Sequence, residues 1–242
     1  MNTKRICLWS GPRNISTAVM YAFGQRSDTE IIDEPLYAHY LHVSGAMHPG
    51  RKAVMASLPI DGTEVIRDII LGPCSKPILF MKQMAHHLVG IDRSFMRKTV
   101  NIFLIRDPKE MLPSLTKVIG IPTLKDTGLK TQADLLTELQ EIGQSPSILD
   151  ARELLLAPKH VLSTLCDRLE LPFEESMLSW EQGGHPSDGV WAPHWYHNVH
   201  LSNGFAPYTP KPEPFPQVLE NVLSECLPYY EVLRAYAITS SS

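Results

Sequence analysis

Apolar residues over much of the chain come in short unbroken runs, each closed by a turn signal, and runs of that length and punctuation predict buried strands. They cover residues 6–9, ended by Ser10-Gly11-Pro12; 30–33, ended before Pro35; 77–82; 100–105, whose VNIFLI is the clearest; and 147–150. Between and after them the spacing becomes helical. Residues 16–26 carry Ala18, Met20, Tyr21 and Phe23 towards a buried side, Pro108 suits a first helical turn, and 158–169 place Val161, Leu162, Leu165, Cys166 and Leu169 on one stripe. Strands alternating with helices pair in parallel, which predicts a three-layer α/β fold with a central, mostly parallel sheet flanked by helices. No repeat or second domain is visible, so residues 1–242 read as one domain. Residues 183–216 are rich in Gly, Pro, His and Trp without a period, and so long an irregular stretch reads as a lid-like segment. Residues 211–217 (KPEPFPQ) then read as a rigid connector to a final helix ending near Ala237.

Composition narrows this only a little. A chain of 242 residues can bury a full core, and a net charge of −4 lacks the basic excess of a general nucleic-acid binder. An anionic ligand would need a local cluster of cations. The four cysteines, Cys7, Cys74, Cys166 and Cys226, show no CxxC spacing, which argues against a disulfide framework and for a reducing compartment. The opening MNTKR precedes an apolar run too short for a signal peptide or membrane span, so no membrane segment and a cytoplasmic location are expected.

Candidate chemistry sits at two strand ends. After the first strand, ICLWSGPRNISTAV places a Gly11-Pro12 turn, Arg13, Asn14, and the hydroxyls of Ser16 and Thr17 before a helix. Free N–H groups at a helix start suit phosphate, and a guanidinium can fork onto its oxygens; the plainer reading is a helix cap beside a solvated arginine. There is no GxxxxGK[ST] loop, which weakens the case for Mg-ATP chemistry. After the fourth strand, VNIFLIRDPKEMLPSL sends Arg106 off the carboxyl end of a strand, opens a helix at Asp107-Pro108 and places Ser114 about two turns along. Ligands of open α/β sheets gather at strand carboxyl ends. An Arg–Asp pair that merely fixes the corner is the plainer reading.

Together the two segments resemble the sulfotransferase superfamily, which uses 3′-phosphoadenosine 5′-phosphosulfate as donor and has a P-loop-like fold. Arg106-Asp107-Pro108-Lys109-Glu110 followed by Ser114 matches its R-[DN]-P-x-[DE]-x-x-x-S segment at every defined position. The first loop matches less closely, with Arg13 where lysine is frequent and Asn14, Ser16 and Thr17 in place of Gly-Thr-Thr. Glu34-Pro35-Leu36 is similar to the EP[LF] of some members, and residues 148–173 to another shared stretch, so the likeness covers roughly residues 4–180. Ala151 stands where many relatives have a nucleotide-contacting tyrosine, and the usual C-terminal RKG element is missing.

The resemblance implies sulfuryl transfer from that donor to a hydroxyl or amine of a small acceptor, without a metal. It places Gly11, Arg13, Asn14, Ser16 and Thr17 at the 5′-phosphosulfate, and Arg106 and Ser114 at the 3′-phosphate. Trp191 or a histidine of the irregular segment would cover the nucleotide, and Lys82 would assist at the bridging oxygen. Met84 replaces the histidine of the family's K-x-H segment, leaving Glu34 as the first candidate for the base and His86 or His87 as the second. Tyr37, Tyr40, Trp191, Trp195 and Tyr196 either line an acceptor pocket or fill the core. His185, His194, His197 and His200 have near-helical spacings, but Pro193 interrupts them and only Asp188 accompanies them, so no metal is expected. A divergent P-loop kinase or hydrolase, with Asp107 on the metal, and a nucleotide-binding relative without catalysis are the alternatives.

Overall fold

A computed structural model describes residues 3–210 and 214–241. Six strands form one all-parallel sheet: β1 (Lys4–Ser10), β2 (Thr29–Asp33), β3 (Ile78–Met84), β4 (Val100–Ile105), β5 (Ser147–Asp150) and β6 (Ala237–Ile238), in the order β2-β3-β1-β4-β5-β6. The apolar runs are unbroken because both faces of the sheet are covered. Cys7, Trp9, Leu79, Met81, Phe103 and Ile105 point into one core, against helices Pro108–Ile119, Leu129–Glu141 and Glu220–Arg234. Ile6, Leu8, Ile78, Phe80, Ile102 and Leu104 point into the other, against helices Ser16–Gly24 and Pro158–Arg168.

The five expected strands are present. β3 runs two residues beyond its expected end, because Gln83 and Met84 still pair with Trp9 and Ser10 of β1. The final helix stops at Arg234, short of Ala237, and Ala237 and Ile238 instead pair with Ile148 and Leu149 as an edge strand. Helices without a counterpart in the sequence reading include Tyr37–Ser44, Arg51–Ser57 and Leu129–Glu141. The irregular segment contains two single helical turns, Ala192–Trp195 and His197–His200, and is pinned by an antiparallel bridge between Ser179 and Gly204. Of the expected connector, Lys211, Pro212 and Glu213 lie outside the described residues. Among the described residues no helix is long and apolar enough to cross a membrane.

One feature of this topology positions the site. β1 and β4 are neighbours, yet the helix after β1 packs on one face and the helix after β4 on the other. The chain therefore diverges beyond the carboxyl ends of these two strands and leaves a crevice there, where open α/β sheets hold their ligands.

Candidate active site

The turn after β1 is built by close approach. A Cβ on Gly11 would stand 2.5 Å from the carbonyl oxygen of Thr127, so no side chain fits. Arg13 takes a positive φ of 53°, an unfavourable conformation for a side-chain-bearing residue. Asn14 fastens the turn to the sheet, donating from Nδ2 to the Leu104 carbonyl at 2.9 Å and accepting from the Ile15 N–H at 3.1 Å. Its amide is thus engaged with the protein. Helix Ser16–Gly24 begins without a side-chain cap, so the Ser16 and Thr17 hydroxyls are not used in the way the plainer reading supposed. Both residues line an inner cavity together with Arg13 and Asn14.

The corner after β4 meets this turn. Asp107 caps its helix by accepting from the Lys109 N–H at 2.8 Å, with Pro108 in the first turn. That frees Arg106 from the Arg–Asp pair of the plainer reading. Its guanidinium instead donates to the Arg13 carbonyl at 3.0 Å and to Glu110 Oε2 at 3.2 and 3.1 Å. Arg13 Nε donates to Ser114 Oγ at 3.0 Å, and its Nη1 to the Trp195 carbonyl at 3.3 Å. Burial, and then the neighbouring Arg106 charge, lower the Arg13 pKa from its ordinary value. Arg13, Arg106 and Ser114 line one outer groove of about 320 Å³, whose far wall is the irregular segment from Trp195 to Ala206.

The inner cavity, about 80 Å³, shares Arg13, Asn14, Thr17, Trp195 and Tyr196 with that groove. Its floor is a charged cluster at the ends of β2 and β3. Lys82, 1 % exposed, donates to Asp33 Oδ1 at 2.8 Å, to Glu34 Oε1 at 2.6 Å and to the Tyr196 hydroxyl. That hydroxyl donates to Asp33 Oδ2 at 2.7 Å and accepts from Trp191 Nε1 at 2.9 Å. The register of β2 on β3 sets Asp33 beside Lys82, and Glu34, at a positive φ of 40°, turns its carboxylate onto the same ammonium. Arg13 and Glu34 are two of three described non-glycine residues with positive φ, so backbone strain concentrates here. Burial raises the Glu34 pKa; Lys82 opposes this in part and Asp33 adds to it. Burial would lower the Lys82 ammonium, but Asp33 and Glu34 outweigh it and the pKa stands above its ordinary value.

Trp191 and Lys82 are held by internal partners. Trp191 lines neither the groove nor the cavity; it is 2 % exposed, packs edge-on against Tyr37 at 5.2 Å and donates to Tyr196. Its ring lies over Gly189, where a Cβ would meet it at 2.2 Å, so it is an internal wedge of the irregular segment. Trp195, rather than Trp191, lines both the groove and the cavity. Lys82 reaches the cavity, and its three N–H donors have acceptors in Asp33, Glu34 and the Tyr196 hydroxyl.

His86 and His87 border the cavity as neutral rings: burial first, then neighbouring histidines, hold His86 at about 3 and His87 well below its ordinary value. His87 stacks on Tyr37 and Tyr40 at 4.9 and 4.7 Å. Asp33 and His48 escaped the sequence reading. Asp33 was legible only as a strand end, and His48 reaches the cavity from the 45–50 loop, with Nδ1 2.9 Å from the Tyr37 hydroxyl. Among the described residues no group of three or more His, Cys, Asp or Glu could hold a metal ion. His200 instead bonds Asp188 at 2.9 Å.

Known proteins share this architecture. Three solved structures superpose on it: a sulfotransferase domain from the curacin biosynthetic pathway (TM-score 0.51, 17% identity, 92% of this chain and 97% of that one), one from the Synechococcus PCC 7002 olefin synthase (0.54, 14%, 93% and 95%) and a sulfotransferase from Alicyclobacillus acidocaldarius (0.52, 14%, 97% and 96%). At these identities they show the fold alone. Two Arabidopsis thaliana proteins, branched-chain-amino-acid aminotransferase-like proteins 1 and 2, are each 40% identical over 235 residues, 97% of this chain. The chain spans 42% of the length of each. A family described as a sulfotransferase domain matches residues 4–237, and the chain belongs to that family.

Proposed function

We propose that the protein transfers a sulfuryl group from 3′-phosphoadenosine 5′-phosphosulfate to a hydroxyl or amine of a small acceptor. The observation that carries this reading is the junction of the two corners: Arg106 donates to the Arg13 carbonyl and Arg13 to Ser114, so both cations face one groove. The groove fits such a donor: it offers two guanidinium groups, and the glycine-tight turn beside it ends in hydroxyls not used as caps. Arg106 and Ser114 would hold the 3′-phosphate, and Arg13, Ser16, Thr17 and the turn N–H groups the 5′-phosphosulfate. The donor supplies an activated sulfate bonded to the 5′-phosphate.

In the reaction the acceptor oxygen or nitrogen forms a bond to sulfur, the bond from sulfur to the 5′-phosphate oxygen breaks, and 3′,5′-bisphosphoadenosine leaves. Arg13 meets the charge gathering on that phosphate. The acceptor proton goes to Glu34, whose raised pKa brings it nearer neutrality. His86, at about 3, is too weak a base to compete. Lys82 acts on the carboxylates: bonded to both Asp33 and Glu34, it holds the Glu34 carboxylate in place and partly opposes the rise in its pKa.

Sulfate transfer from labelled donor to an acceptor panel tests this reading. Glu34→Gln should lower turnover by about 10²- to 10⁴-fold with nucleotide affinity retained. Full activity of that variant would remove Glu34 from the reaction.

A further inference from the structure

The inner cavity also carries information about the acceptor, on the reading that it receives one. Its ionic floor does not balance. Asp33 and Glu34 face a single ammonium, Lys82, within the buried cluster. Glu34 Oε1 is bonded to Lys82, whereas Oε2 has no hydrogen-bond partner among the described residues although Glu34 lines the cavity. Arg13 also lines the cavity, but its guanidinium is directed to Ser114 and the Trp195 carbonyl, where the donor's phosphates would neutralise it. Lys125 and Asp126, whose charges also reach His86, are of opposite sign. Beyond the hydroxyl-bearing turn, the wall includes the polarisable side chains of Tyr37, His48, Met84, His87 and Trp195.

A surplus carboxylate beside aromatic faces in a small cavity suits a cation, which gains from both the charge and the ring quadrupoles. An anionic acceptor would meet uncompensated repulsion there. We infer that the acceptor is a small alcohol or amine carrying a positively charged ammonium group, which sits against the Tyr37–Trp195 wall while its nucleophilic atom faces Glu34. The neutrality of His86 and His87 agrees with this, since charged imidazoles would repel such a group.

Choline and its uncharged isostere 3,3-dimethylbutan-1-ol differ only in that charge, so they make a matched pair of probes. Calorimetric titration of the intact protein, with and without saturating 3′,5′-bisphosphoadenosine, should show choline bound at least about tenfold more tightly. Trp195→Leu should reduce the preference severalfold, provided its melting temperature shows that it folds; Glu34→Gln, which removes the charge with little change of shape, should reduce it as well. Equal binding of the two probes, tighter binding of the neutral alcohol, or no binding of either would overturn the inference. Selection of the cation by a protein that ignores the bisphosphate would keep it and defeat the transferase reading.

Discussion

Arg106 joins two roles, since it faces the groove and also holds the carbonyl of the strained Arg13. Arg106→Ala should therefore cost about 100-fold in affinity for 3′,5′-bisphosphoadenosine, in the range of lost charge-assisted hydrogen bonds, while circular dichroism shows a native fold. Unchanged affinity would remove it from the ligand. His86 gives a pH signature. Its ordinary pKa of 6.5 falls to about 3 in the folded chain, so between those values the unfolded chain binds a proton that the folded one refuses. The stability this group contributes is complete above pH 6.5 and is lost as pH falls towards 3. Denaturant titrations across that window should show a shallower pH slope for His86→Gln than for the wild type; identical slopes would mean that the ring is accessible and charged. Arg106 and Ser114 were legible from local spacing because strand end, cap and helix turn are consecutive in sequence. Asp33 was not, because its partner Lys82 is 49 positions away and only the β2–β3 register brings them together.

At the scale of elements, the segment 183–204 is a strap tied over the site. Tyr196 is its central knot, joined to Asp33, Lys82 and Trp191. Asp188 ties its base, accepting from the Tyr21 hydroxyl at 2.8 Å and bonding His200, and the Gly189 N–H donates to Asp33 at 3.3 Å. Tyr196→Phe leaves the Trp191 N–H and an Asp33 oxygen buried without that partner, and should cost about 1–3 kcal/mol. Thermal melting should register this as a lower Tm, and hydrogen exchange should quicken across residues 183–204. Normal protection there would show that the strap is held by packing alone. The sequence pattern indicated a covering segment but not its contacts, because Trp191 and Trp195, four positions apart, carry the same chemical signal and only the packing sends one into the core. Helix Leu129–Glu141 went unread for a related reason. Its buried face includes Gln132, a polar residue used internally, donating to the carbonyls of Trp9 and Leu104 at 2.9 and 3.0 Å.

For the molecule as a whole, the divergence of the chain beyond β1 and β4 is what makes a site from two ordinary corners. The alternation of strands and helices made the layered architecture readable, whereas the short edge strand β6 was hidden in two residues that adjoin a helix end. On the proposed reading, the two arginines on adjoining turns and the turn closed by Gly11 against Thr127 would receive an adenylate bearing phosphates at both ends. Parallel thermal-shift titrations with 3′,5′-bisphosphoadenosine and with Mg-ATP test that claim most directly, because a ligand that binds only the folded chain raises its Tm as concentration passes Kd. The bisphosphate should raise the Tm by several degrees, with the shift lost in Arg106→Ala, and Mg-ATP should do so weakly or not at all. Stabilisation by Mg-ATP alone would contradict the account.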